Sequence, residues 1–249
     1  ALARATLDAL DRSLRDPPHG GWREANAAAG PRRQNPHMHL LEAMLAWFEA
    51  TRDEAWLVPA REVVRLFHER FFDAGTGTLR EFLADDLSPA PGEAGQVREP
   101  GHHFEWVWLL LHYRRLTGAE DVLAPAERLY GTARRHGVDR DGLAVEAMDP
   151  HGRVLEPARL LWPQTEAVKA ALARAEFLGA DPAEADAFLA AMMRIHFPKP
   201  GPLWVNRVSA SGEALSRRVP ARLLYHLTLS LAEHARLRRP AGQGAFVPA

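Results

Sequence analysis

The chain has 249 residues, 47% of them apolar, with 31 Lys plus Arg against 32 Asp plus Glu for a formal charge of −1. That length can bury a large core as one domain, 1–249, and the even charge excludes both a basic nucleic-acid surface and a basic membrane-surface helix. Cysteine is absent, which excludes disulfides, Cys-zinc and iron–sulfur sites and a thiol nucleophile.

The opening stretch, ALARATLDALDRSLRD, reads as an amphipathic helix with Leu2, Leu7, Leu10 and Leu14, stopped by Pro17 and Pro18. It does not have the form of a basic-then-apolar leader, and no stretch reaches the roughly 18 uncharged apolar residues of a membrane span. A cytoplasmic location is therefore expected. The first helix lacks a cap, so the natural N-terminus is expected further upstream. Asn35-Pro36 predicts a second helix, with Asn as cap and Pro in the first turn, fading near Thr51. A third is predicted from about Glu54 to Phe72, its first turn split off at Pro59. A fourth opens after Glu99-Pro100 and stops at Thr117-Gly118, and a fifth covers about Asp121 to His136. A sixth follows Trp162-Pro163 up to Gly179. A seventh begins at Asp181-Pro182 and ends before Pro198, and the last spans about Pro220 to Arg238. The Gly- and Asp-punctuated stretches 75–91, 142–155 and 203–215 predict short hairpins. The fold class is thus all-α, about eight helices with small β excursions.

A degenerate repeat runs through this layout. HLLEAMLAWFEATRD, HFEWVWLLLHYRRLTGAED and PQTEAVKAALARAEFLGAD each place a Glu-containing polar cluster at the head of an apolar helix, then a turn, then a second helix. Glu42 to Glu105 is 63 residues and Glu105 to Glu166 is 61. A further step of about 60 lands on Tyr225-His226 at the head of the last helix. A period of that length is one αα-hairpin. If the first helices of the repeats line a ring, the polar clusters meet at one end of its cavity.

Two clusters read His-x-x-Glu, His39 with Glu42 and His102 with Glu105. At this spacing the side chains are helix-face neighbours, and a carboxylate beside an imidazole fixes its tautomer and raises its basicity. One such pair alone reads as a solvated polar face; two at equivalent repeat positions point to acid–base chemistry. His37 and His103 point elsewhere and are expected to be structural. At the third position Trp162 suits stacking on a sugar ring and Gln164 suits hydroxyls, against a core Trp and a capping Gln; Glu166 follows. At the fourth, His226 sits on an apolar helix, where a satisfied core histidine is the plain alternative. Trp106 and Trp108 are expected in the core. No metal is expected, because the di-iron pattern is Glu-x-x-His and the order here is reversed. Gly-rich phosphate loops and a Gly-x-Ser-x-Gly elbow are absent.

Together, QNPHMHLLEA (34–43), EPGHHFEW (99–106), RLLWPQTEAVKAA (159–171), the Tyr-His of 225–226 and GGWREA (20–25) resemble the N-acylglucosamine 2-epimerase family of sugar isomerases and epimerases. The resemblance implies an (α/α)6 barrel, of which about eight of twelve helices are present, the other four expected before Ala1. It implies His102 and His226 as the two proton-transfer histidines and Glu105 as the carboxylate orienting His102. Asn35 and His39 become sugar-site positions, His39 helping to open the pyranose ring, with Trp162 stacking and Glu42, Gln164 and Glu166 completing the substrate site. An Arg and a Tyr that the family supplies from its N-terminal part have no counterpart here, and Arg222, Leu223 and Leu224 stand where the family has small residues or an aromatic. The implied activity is cofactor-independent aldose–ketose isomerisation, such as mannose to fructose, or C2 epimerisation, through a cis-enediolate. The partner is a small-molecule sugar, with a homodimer left open. Two other readings stand beside it: a catalytically incomplete sugar-binding or vestigial barrel, and a hydrolase or lyase using an acidic pair such as Asp85-Asp86 or Glu105 with Glu166.

Overall fold

The computed structural model describes residues 2–25, 31–199, 203–216 and 218–238. Eight α-helices lie among them. These are α1 (Leu2–Leu14), α2 (Asn35–Thr51), α3 (Leu57–Leu66), α4 (Pro100–Thr117), α5 (Leu123–His136), α6 (Leu161–Leu178), α7 (Ala183–His196) and α8 (Leu223–Arg238). The predicted boundaries hold to within a few residues, because Pro and Gly sit at the ends. Pro100 occupies the first turn of α4, and Gly118 and Gly179 close α4 and α6 in the left-handed conformation that glycine adopts freely. The predicted third helix is three pieces: a 3₁₀ turn at Glu54–Trp56, α3, and a π turn at Phe67–Phe71. Asn35 is not the cap of α2. Gln34 holds that position without a side-chain cap bond.

The helices form two layers. In the inner layer α4 packs on α2 and α6, and α6 packs on α8; outside, α3 covers α2, α5 covers α4 and α7 covers α6. This is the expected arc of αα-hairpins. The inner helices α4 and α6 are buried nearly all round, including Trp106, Leu110, Val168 and Ala171, while α5 buries only the stripe Ala126, Leu129, Tyr130 and Ala133. Trp106 and Trp108 are core residues, as expected. The two ends of the arc meet through a hydrogen bond from the Tyr225 hydroxyl to the Glu42 carboxylate. Between α2, α4 and α8 lies a mostly apolar groove of about 660 Å³. None of the described helices is long and apolar enough to cross a membrane.

Four two-stranded pairings join the hairpins. They are β1 (Arg32–Arg33) with β4 (Phe82–Leu83), β2 (Phe72–Asp73) with β3 (Thr78–Leu79), β5 (Ala147–Met148) with β6 (Val154–Glu156), and β7 (Arg159–Leu160) with β8 (Arg207–Val208), all antiparallel. Of these, β2–β3 and β5–β6 are local hairpins of the kind predicted, and single antiparallel bridges at Leu83–Pro89 and Val208–Ala214 close two more tight reversals within the predicted stretches. β1–β4 and β7–β8 tie together distant loops at the end of the arc where the inner helices begin. Gly21, at φ +68°, makes the HGGW segment a tight turn; a Cβ there would stand 2.3 Å from Nε2 of His37.

Candidate active site

The first turns of α2, α4, α6 and α8 meet around a cavity of about 510 Å³, within the roughly 300–1,000 Å³ of ordinary small-molecule pockets. Asn35 and His39 of α2, His102 and Glu105 of α4, Trp162 of α6 and His226 of α8 all line it. The repeat therefore brings these six predicted side chains together, while Glu42, Gln164 and Glu166, predicted by the same register, do not line the cavity.

His102 is buried at the head of α4. Its Nδ1 lies 2.7 Å from Oε2 of Glu81 and 3.4 Å from Oε2 of Glu99, and its Nε2 lies 3.0 Å from Nδ2 of Asn35. Glu105, expected to orient His102, does not touch it. Helical side chains lean toward the preceding turn, so His102 reaches back toward Glu99 and the loop before β4, where Glu81 waits. Glu81 was missed in the sequence. It lies in a strand connection with no periodic signal, and its partners are distant. A polar chain backs it: Trp106 Nε1 donates to Oε1 of Gln34 at 2.7 Å, and Gln34 Nε2 donates to Oε2 of Glu81 at 3.0 Å. Burial opposes a charge on His102, but the Glu81 and Glu99 carboxylates outweigh it and push its pKa up to about 10. That shift favours the imidazolium, whose Nε2–H donates to the Asn35 side-chain amide once its oxygen faces the ring.

His226 has its Nδ1 2.8 Å from Oε1 of Glu166. With that N–H donated, Nε2 is the nitrogen left to meet a substrate. Glu166 was expected at the substrate, yet it is fully buried behind His226. There it also meets Lys169, whose Nζ stands 2.8 Å from Oε2 and 4.1 Å over the Trp108 ring. Burial would raise the Glu166 pKa; the Lys169 charge and the hydrogen bond from His226 hold it well below the carboxylate range instead. Lys169 was also missed, although the Glu-x-x-Lys spacing of PQTEAVK carried its signal.

His39 lies between the two stations. Its Nδ1 is 3.5 Å from Glu42 and 3.7 Å from Glu105, and its ring centroid is 6.3 Å from that of His226. Burial opposes its protonation, and Glu42 and Glu105 overcome that and raise its pKa. Glu42 holds His39 and Tyr225 and lines the apolar groove, not the cavity. Glu105 is buried with no hydrogen-bond partner on either oxygen. Burial, then the Glu166 charge, push its pKa up to about 7, so it carries an exchangeable proton near neutrality, between His39 and the Glu166–His226 pair.

Trp162 stands between the stations, its ring centroid 4.7 Å from that of His102 and 6.0 Å from that of His226. A Cβ on Gly101 would meet its ring at 2.6 Å, so only glycine there lets α6 bring Trp162 against α4. Gln164, expected to bond hydroxyls, is structural. Its amide accepts from Ala144 N at 2.8 Å and donates to the carbonyls of Ala144 and Leu160 at 2.9 and 2.8 Å, with nothing left for a ligand. His37 and His103 are structural as expected. Each Nε2 accepts a backbone N–H, from Trp22 and Leu79, and burial drives both pKa values down to about 4. Among the described residues, His39–Glu42–Glu105, Glu81–Glu99–His102 and Glu105–Glu166–His226 have ligand-type atoms close enough to hold a metal. The 2.7 and 2.8 Å contacts at His102 and His226 are hydrogen-bond lengths, the geometry of carboxylate-oriented imidazoles. Asp85 and Asp86, the alternative acidic pair, are both exposed, Asp85 paired with Arg23 and Asp86 bonded by Ser88.

Residues 1–230 match the family model described as N-acylglucosamine 2-epimerase (GlcNAc 2-epimerase). A mannose-6-phosphate isomerase of Rhizobium meliloti (strain 1021) is 36% identical over 228 residues, covering 87% of this chain and 58% of the relative. A D-mannose isomerase of Pseudomonas cannabina pv. alisalensis is 33% identical over 161 residues, covering 57% of this chain and 38% of the relative. The chain thus spans little more than half of the first of these relatives and less of the second. The solved structure of cellobiose 2-epimerase from Bacillus thermoamylovorans B4167 superposes with a TM-score of 0.81 at 16% identity, over 94% of this chain and 64% of that one, and shares the fold.

Proposed function

The chain belongs to the N-acylglucosamine 2-epimerase family, and from that premise we propose that it isomerises or 2-epimerises a hexose by proton transfer between histidines. The observation that carries this is the pair of stations on one cavity, each an imidazole with Nδ1 tied to a buried carboxylate. His226 takes the C2 proton on Nε2, and the C–H electrons form the C1–C2 double bond of an enediolate. The His102 imidazolium and the Asn35 amide face the developing oxyanion. Return of that proton from His226 to C1, with a proton passing from O2 to O1, gives the ketose; delivery of a proton from the His102 imidazolium to the other face of C2 gives the epimer. His39, held by Glu42, protonates the ring oxygen so that the pyranose opens. Trp162 offers an apolar wall between the two imidazoles. The relatives' names include both mannose and mannose 6-phosphate as substrates, and conversion of either to its ketose is the reaction to try first.

The test is incubation with mannose and, in parallel, with mannose 6-phosphate in D₂O, following the ketose product by chromatography and deuterium at C1 and C2 by NMR. Product carrying solvent deuterium supports the reading; no product and no exchange overturns it. Because the chain spans 58% of the mannose-6-phosphate isomerase it resembles, the second reading is a domain that binds the sugar without turning it over. Binding without exchange would select it.

A further inference from the structure

The cavity wall is graded. Its floor, with Glu81, His102 and Glu105, is buried, while Arg33 and Arg222 at its edge are exposed. The two arginines come from opposite ends of the arc, Arg33 from β1 just before α2 and Arg222 just before α8. Arg33 is pinned by the β1–β4 pairing opposite Phe82, and meets Glu24 only through Nε at 3.4 Å, which leaves both terminal nitrogens to donate. Arg222 has no carboxylate within ion-pair distance among the described residues, whereas Arg32, one position along from Arg33, is buried and paired with Asp16 at 2.5 Å. Proton transfer at C1 and C2 occupies the floor. A neutral hexose has only hydroxyls to present to the rim, and these call for no cation. A phosphate offers charged oxygens that match the guanidinium fork bidentately.

Resting on the isomerase reading above, we propose that Arg33 and Arg222 form a rim clamp for an anionic group at the far end of the sugar, so that the substrate is a phosphorylated hexose. The third charged side chain toward the rim is Glu99, a half-buried carboxylate 3.4 Å from His102. Burial pushes its pKa up to about 7, against the pull of His102, so its repulsion of a phosphate is reduced near neutrality.

The test is calorimetric titration of the whole chain, and of the exposed-site variants Arg222→Met and Arg33→Met, with mannose 6-phosphate and with mannose. The unsubstituted chain should bind the phosphate at least about ten-fold more tightly, an advantage that shrinks with added salt. Arg222→Met should lose most of that advantage with mannose binding unchanged, and Arg33→Met a smaller part. Equal affinity for the two sugars, an advantage that survives both substitutions, or binding of neither sugar would overturn the clamp. Turnover is read separately. Phosphate preference without isomerisation defeats the isomerase reading and leaves the clamp; isomerisation without preference does the reverse.

Discussion

The two histidine stations solve one problem with different materials. At His102 the carboxylates of Glu81 and Glu99 both face one imidazole, and Glu81 is supported by neutral groups, the Gln34 amide and the Trp106 indole. Among the described residues no other cation contacts Glu81, and the two carboxylates raise the pKa of His102. At His226 the single carboxylate of Glu166 is already shared with Lys169. A carboxylate that neutralises a lysine still orients an imidazole. The two rings are held by the same kind of contact in different charge settings, and the proposed acid and base roles rest on that asymmetry.

The comparison can be broken outright by removing either ring. His102→Ala and His226→Ala should each lower turnover by about 10²–10⁴-fold with the far-ultraviolet circular dichroism unchanged. Near-parental turnover in either would end the two-station account. Lys169→Met attacks the difference itself. It strands the buried Glu166 carboxylate, so the chain should lose about 3–5 kcal/mol in urea unfolding. An unchanged midpoint would mean that Lys169 does not carry the Glu166 charge.

Glu81→Gln sharpens the other side. Loss of an outer carboxylate should cost about 10–100-fold in kcat, with KM little altered. It should also change the pH dependence of stability. The folded pKa of His102 is raised from 6.5 to about 10, so its contribution is fully present below pH about 6.5 and is lost as pH rises toward 10. Between those values the folded state holds one more proton than the unfolded state. The unfolding free energy should therefore fall by about 1.4 kcal/mol per pH unit between about pH 7.5 and 9.5. Glu81→Gln should flatten that slope; a slope that persists would place the proton elsewhere. Gln164→Ala is the smallest change. It uncaps the Ala144 and Leu160 backbone groups, so it should cost about 1–3 kcal/mol of stability while KM for the sugar stays put. A large KM effect would return Gln164 to the ligand.

Much of this was legible in the sequence, for a reason visible in particular residues. The 63- and 61-residue steps are set by hairpin length, so whatever the register puts at one inner helix head must recur in space at the next. His39, His102, Trp162 and His226 were found that way. Glu81 was not, because it belongs to a strand connection whose place depends on β1 pairing with β4, across residues far apart in the chain. The assignment of Glu105 to His102 failed for a local reason. Spacing makes the two neighbours along the helix, but the backward lean of helical side chains sends His102 to Glu99, and Glu105 one turn deeper toward His39 and Glu166. Gln164 carried no sign that the Ala144 loop would use up its amide.

The four inner helices all begin at the cavity. Each peptide column ends in unsatisfied N–H groups equivalent to roughly half a positive charge. An enediolate held there would lie at the positive poles of α2, α4, α6 and α8 together, each worth about 0.3–1 kcal/mol to a nearby anion. The repeat that delivers the histidines therefore also delivers a standing field, oriented before any substrate arrives, which favours the anion over the neutral sugar. Every added hairpin that keeps the register would strengthen that field by one more helix end, without contributing a single catalytic side chain.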